Sequence, residues 1–476
     1  MVAVAASPSG DRSPGRVARR TYGRTFRLTI IALLGLALVL AGGASRSDEI
    51  QQVVVRTAAI AAIAASLWPL EFDWLRTHSR WVLAVAALYA LMLIQLVPLP
   101  PAMWAQLPGH GIYARIAEQA GAVGWRPLSL TPDLTLNSLF GLIPATAAGL
   151  AALFLDSRGR WRLAKWVVAA ACFSGLLGLI QLGAGGNALR FFRESSADSA
   201  VGVFANRNHQ AAFLACALPL TGALAGLRLR PNRDAWAVAA LASLVAFLVL
   251  ALVATGSRMG LVLGVTGVIG AIWCFRASGQ PAMRISARAL MGAGLVMFVL
   301  LAAIAYVAVR IKLVDRLLLT DTASETRSEL LVPLFQTAQA FMPWGSGFGS
   351  FDSVFRQFEP NELLSTIHMN QAHNEPLQLA IEGGLPALAL VGLFLWWWVG
   401  MAARVLRADL PSGRRAMAIA AVVIIFILLA SSLVDYPLRT PLLGAVFAIS
   451  CVEMMRTGAA RRTPSSEAPN AAIVPD

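Results

Sequence analysis

Apolar residues run in long blocks along the chain, and short polar or basic stretches separate them. A helix needs about 20 mainly apolar residues to cross the hydrocarbon core, because backbone amides left unpaired there cost several kcal/mol each. By that measure spans are predicted near 28–43, 53–70, 81–99, 136–155, 164–183, 209–227, 235–255, 259–275, 289–309, 376–400, 416–433 and 440–455. The expected fold is all-α, a polytopic membrane protein of about twelve transmembrane helices with one long structured periplasmic loop. Residues 28–455 form one transmembrane domain, and the tails 1–25 and 457–476, rich in small residues, Pro and Ser, are expected to be disordered and cytoplasmic. The first span reads as an uncleaved signal anchor.

Three outer loops are long enough to do chemistry: 100–135, 184–208 and 310–375. In the last, Thr322-Ala323-Ser324-Glu325 has capping-box spacing ahead of Leu330, Leu331, Leu334, Phe335, Ala338 and Phe341, a helical period that predicts a helix lying on the membrane. Pro333 kinks that helix or sits in the first turn of a new one. Pro343-Trp344-Gly345-Ser346-Gly347-Phe348-Gly349 then reads as a tight turn rather than a nucleotide loop, since no strand precedes it.

Composition agrees: the chain is 57% hydrophobic and only 13% charged, which excludes the soluble classes. The net charge of +14 is largely topological, because Lys and Arg gather on the segments assigned to the cytoplasm, as in the tail with Arg12, Arg16, Arg19, Arg20 and Arg24. No nucleic-acid partner is expected, since the basic residues are scattered over short loops. Cys172, Cys216, Cys274 and Cys451 fall in or at the ends of spans and read as packing residues. Trp396, Trp397 and Trp398 read as an interfacial aromatic belt.

Arg258, Arg327 and His373 sit at one membrane level on the outer face. Each alone has an ordinary reading as a snorkelling or solvated side chain. Together they suit a lipid diphosphate: guanidinium groups stay charged and fork onto two oxygens, and a half-wet histidine is fit to deprotonate an acceptor hydroxyl. With no Asp-x-Asp and no outer carboxylate cluster, no metal or cofactor is expected. Secondary candidates are Arg207 and His209, which line the acceptor site or anchor their span, and Glu382, which pairs with an arginine or hydrogen-bonds sugar. Asp435 and Arg439 either neighbour the site or form a local ion pair, Arg56 is expected to snorkel outward, and His368 is a loop residue.

Five ordered blocks carry a resemblance to a known family. They are Trp125-Arg126-Pro127-Leu128-Ser129-Leu130-Thr131-Pro132, the stretch from Phe204 to Ala212, Thr255-Gly256-Ser257-Arg258, the stretch from Arg327 through Gly349, and His373-Asn374 with Gly384 beyond it. In order and interval, over about 80–440, the chain resembles the O-antigen ligase and O-antigen polymerase membrane glycosyltransferases. It departs from their pattern at Val262, Pro333 and Ala387. The resemblance implies a GT-C-like fold in the bacterial inner membrane with a periplasm-facing site, and an undecaprenyl-diphosphate-linked glycan as donor. It assigns Arg258 and Arg327 to the pyrophosphate and His373 to the acceptor, which is a saccharide or a lipid A core. The chemistry does not separate ligation from polymerisation, and polymerisation or transfer in an exopolysaccharide pathway is slightly favoured, since nothing singles out a lipid A core acceptor. A transporter or flippase of the lipid-linked glycan is the rival, but it would bind substrate near the bilayer midplane.

Overall fold

The computed structural model describes residues 14–45, 50–67, 72–184, 189–193, 195–196, 199–228, 235–279, 329–361 and 369–459. The expected span 289–309, the capping box at Thr322–Glu325, Arg327, His368 and the outer parts of both tails lie outside the described residues. Among the described residues, seven helices are long and apolar enough to cross a membrane: Pro132–Phe154, Ser157–Ala184, Arg207–Leu227, Ala237–Ala254, Arg258–Ala277, Glu375–Arg407 and Ser412–Ser432. Thr25–Ala41, Gln51–Leu67 and Ser79–Gln95 are shorter apolar helices. Pro441–Ala459 closes the described part of the chain. The first helix begins at Pro14, inside the stretch expected as a tail. The chain is a multi-pass helical protein, and among the described residues the one sheet is the pairing of Pro98–Leu99 with Arg126–Pro127.

Lipid tails give no hydrophobic drive for helices to associate, so close packing through small residues does the work. Helix Arg258–Ala277 places a glycine on nearly every turn. Gly260 meets Ala211, Gly264 meets Leu252, Gly267 meets the Ala215 carbonyl and Gly270 meets Val423. These contacts seat it against helices 207–228, 235–254 and 412–432 at the centre of the bundle. Its other face, with Val262, Val265 and Ile269, is exposed, as are Leu83, Trp166 and Trp396, forming an apolar outer surface suited to lipid. Of the three consecutive tryptophans, Trp396 is the fully exposed one, while Trp398 stacks on Phe426.

Helix Glu375–Arg407 has 33 residues, about 50 Å at 1.5 Å per residue, well beyond a hydrocarbon core of about 30 Å. It breaks at Gly384 (φ 59°, ψ −153°), with Pro386 just beyond. The break strips the carbonyls of Ile381 and Glu382 of their helical partners, and the Pro343–Gly349 turn supplies replacements. Ser346 N–H donates to Ile381 at 2.9 Å, Gly347 N–H to Glu382 at 2.9 Å, and Leu385 N–H returns a bond to Pro343 at 2.8 Å. Gln95, at the end of helix 79–95, donates from Nε2 to the Glu382 carbonyl at 2.9 Å and accepts from Phe348 N–H at 3.0 Å. The contact is too close for side chains: a Cβ on Gly384 would lie 2.2 Å from the Pro343 carbonyl oxygen, and one on Gly345 2.5 Å from that of Glu382. The glycine string is thus a plug for a broken helix.

The loop helix runs from Leu331 to Phe341 with Pro333 in its first turn. It buries Leu334, Thr337, Ala338 and Phe341 and exposes Leu331, Val332 and Phe335.

Gly222 tests the packing argument, because a Cβ there would stand 2.1 Å from the Ala271 carbonyl oxygen on the facing helix, whereas at Gly35 it would meet nothing within 4 Å. Gly222→Val is expected to cost about 1–3 kcal/mol or more, read as a lowered thermal midpoint in detergent. Gly35→Ala should leave the midpoint unchanged or slightly raised.

Candidate active site

The turn between helices Ser412–Ser432 and Pro441–Ala459 carries Asp435, a carboxylate with no exposed surface. A charge so placed must be matched by donors, and they come from elements distant in sequence. Asp435 Oδ2 accepts from Asn206 Nδ2 at 3.0 Å and from Asn208 Nδ2 at 2.6 Å. Oδ1 accepts from the Tyr436 N–H at 3.0 Å. The same Oδ1 lies 3.3 Å from His373 Nδ1 and 3.6 Å from His209 Nε2. Neither ring nitrogen makes an aligned hydrogen bond elsewhere. Burial by itself would raise the Asp435 carboxyl, but His209 and then His373 hold it well below the usual aspartate range.

Asn208 extends this network by accepting from Ser257 Oγ at 2.8 Å. Ser257 in turn caps helix Arg258–Ala277 by accepting from the Gly260 N–H at 2.9 Å. Three helices therefore begin around one carboxylate, at Arg207, Arg258 and Glu375. Their amino ends direct positive partial charge toward the same place.

His373 has a backbone φ of 48°, uncommon for a residue with a side chain. The turn sets its ring against Asp435, with its centroid 5.1 Å from that of Tyr436, whose ring also meets His209 edge-on at 5.0 Å. The side chain is 25% exposed and its Nδ1 is buried, so the open part of the ring lies away from the atom that faces Asp435. A carboxylate that accepts a hydrogen bond from Nδ1–H fixes the tautomer in which Nε2 is the acceptor, able to take a proton from a bound hydroxyl.

The remaining sequence candidates separate. Arg258 is the first residue of its helix, half-buried and engaged within the protein, joined to His373 through Ser257, Asn208 and Asp435. Arg207 also opens its helix, half-buried, its N–H donating to Ser196 Oγ at 3.3 Å. His209 is 2% exposed and packed on Asp435, so it is placed to anchor rather than to meet solvent. Glu382 is fully buried and pairs with Arg439 at 2.9 Å.

That pairing corrects the local Asp435–Arg439 ion pair considered from sequence: the carboxylate of Asp435 faces histidines and asparagines, and the arginine reaches another helix. Arg56, expected to snorkel, is held by a partner within the protein: its guanidinium donates to Asn137 Oδ1 at 2.7 Å. Asn206, Asn208 and Tyr436 were not singled out from sequence. Both asparagines stand in the Phe204–Ala212 block, yet nothing local to that block reveals that their partner is Asp435.

Asp435→Asn removes the charge that orients His373 and turns an acceptor toward the amides of Asn206 and Asn208. The expected result is a loss of polysaccharide output on the order of 10² or more, measured per inserted protein. Unchanged output would show that the carboxylate does not serve the histidine.

No curated protein matches the chain. The O-antigen ligase family model matches residues 241–392. That stretch holds Arg258, the loop helix, the glycine turn, His373 and the broken helix that the turn plugs. Together with the helical bundle that carries these elements, the match makes this stretch of the chain similar to the O-antigen ligase family.

Proposed function

We propose that this protein is a metal-independent glycosyltransferase of cell-surface polysaccharide assembly, working on the outer face of the bacterial inner membrane. It moves a glycan from undecaprenyl diphosphate to an acceptor hydroxyl, on a second repeat unit in polymerisation or on a lipid A core in ligation. The observation that carries this reading is His373 held against the buried carboxylate of Asp435, at the end of the bundle where the Arg258 helix begins. The basic residues favour that end as the outer one, since the opposite ends of the helices carry Arg27, Arg76, Arg160, Arg404 and Arg407.

In the proposed reaction His373 Nε2 takes the acceptor O–H proton as the oxygen forms its bond to the anomeric carbon of the donor sugar. The bond from that carbon to the diphosphate oxygen breaks, and its electron pair leaves with undecaprenyl diphosphate. Arg258 and Arg327 are assigned to the charge that develops on this leaving group, a role that guanidinium groups fill through paired hydrogen bonds. Asp435 stabilises the imidazolium that forms.

His373→Ala is expected to lower transfer by about 10² to 10⁴, and Arg258→Ala and Arg327→Ala to lower it as well, each in protein that inserts normally. Lipid-linked repeats should accumulate on the outer face, scored by their access to an added impermeant glycosidase. Accumulation on the inner face would instead identify a transporter, and near-normal transfer by His373→Ala would remove the base from the mechanism.

A further inference from the structure

We propose that Gln378 is a positioning residue for the base: it pins the strained turn that aims His373 and ties that turn to the segment carrying Asp435. The inference rests on reading His373 as the base. A left-handed backbone at a histidine is unfavourable and persists only where its surroundings over-determine it. Here the determinants sit on either side. After His373, the Asn374 side chain caps the helix by accepting from the Leu377 N–H at 3.0 Å. Before it, the Ala372 N–H donates to Gln378 Oε1 at 3.0 Å.

Gln378 is 1% exposed, and its amide is used from both ends. Nε2 donates to Gln371 Oε1 at 2.6 Å and to Glu382 Oε1 at 3.0 Å. The orientation of the amide follows from these partners, because a flipped group would oppose donor to donor at Ala372 and acceptor to acceptor at Glu382. Glu382 then spends its other oxygen on Arg439 at 2.9 Å. Arg439 follows Asp435 by four residues, within the same connection between helices. The base and its carboxylate are therefore joined twice: directly, His373 to Asp435, and indirectly, through Gln378, Glu382 and Arg439. The second route fixes how the two segments stand relative to each other, so that Nδ1 meets Asp435 and Nε2 remains the acceptor.

Only an amide meets these demands. A carboxylate at 378 would oppose Glu382, and an apolar side chain would leave the Ala372 N–H, Gln371 and Glu382 without their partner. Gln378→Met keeps the volume, and Gln378→Glu keeps the acceptor for Ala372. Each is expected to cut polysaccharide output at least tenfold per inserted protein when it replaces the native copy in its cell. Amide hydrogen exchange of the 369–374 segment should speed up in Gln378→Met.

The double variant Q378E/E382Q reverses the pair: the amide introduced at 382 donates to the carboxylate introduced at 378 and still offers a carbonyl to Arg439. It should recover most of the output lost in Q378E, which a residue that merely fills space would not allow. Normal output from both single variants, or a double variant that inserts and stays as impaired as Q378E, overturns the proposal. His373→Ala run in parallel separates the two levels. If it retains output, the reading of the base fails; if it is inactive while the Gln378 variants are normal, this inference fails alone.

Discussion

A carboxylate taken out of water must recover several kcal/mol of lost hydration from fixed donors, and Asp435 recovers it from Asn206, Asn208, the Tyr436 N–H and two imidazoles. Those donors sit on three separate parts of the chain. Satisfying one charge therefore fixes the starts of helices 207–228 and 375–407 against the last turn of the bundle. Through Asn208 and Ser257 it fixes the start of helix 258–277 as well. The same demand that makes the carboxylate costly makes the site rigid, because no donor can move away without exposing a buried charge.

A second demand of the same kind holds the rest of the site in place. Helix Glu375–Arg407 is broken at Gly384, and its freed carbonyls need partners where water is scarce. The Pro343–Gly349 turn and Gln95 provide them. Helix 79–95, the segment around Ser129 and the long loop are thereby drawn onto the helix that presents His373. Ser129 N–H donates to the Gln95 carbonyl at 2.9 Å, and Leu130 N–H to that of Ser346 at 2.9 Å. The part of the broken helix before Gly384 belongs to this cap more than to the span, which is why Glu382 can be buried there as an ion pair with Arg439.

For a reaction at a membrane surface this design has a consequence. The middle of the bundle is packed through glycine contacts that depend on shape, and the end around Asp435 is held by hydrogen bonds that depend on chemistry. Buried polar groups gather around Asp435 and the helix break, and the outer surface of the bundle exposes apolar side chains such as Leu83, Val262, Val265 and Ile269.

Helical spans were legible in the sequence because a bilayer accepts only long apolar runs with their backbone bonds closed, a local rule that a window of about 20 residues reports. The positions of His373 and Arg258 at helix starts were legible because charged or titratable groups at span ends are few and stand in recognisable blocks. The turn at Pro343–Gly349 could be read as a turn, but not as the partner of a helix break some 35–40 residues later. Glu382 called for a partner from its depth alone, yet its choice of Arg439 over any nearer group required the folded chain. Asp435 could be read as a neighbour of the site or half of a local ion pair, but not which groups it meets, since its donors come from about 230 residues before it and its histidine from about 60. Local periodicity and hydropathy determine which segments enter the membrane. Which side chain answers a buried charge is decided only when those segments pack, because a carboxylate is satisfied by donors near in space, and sequence separation sets no limit on what packing brings near.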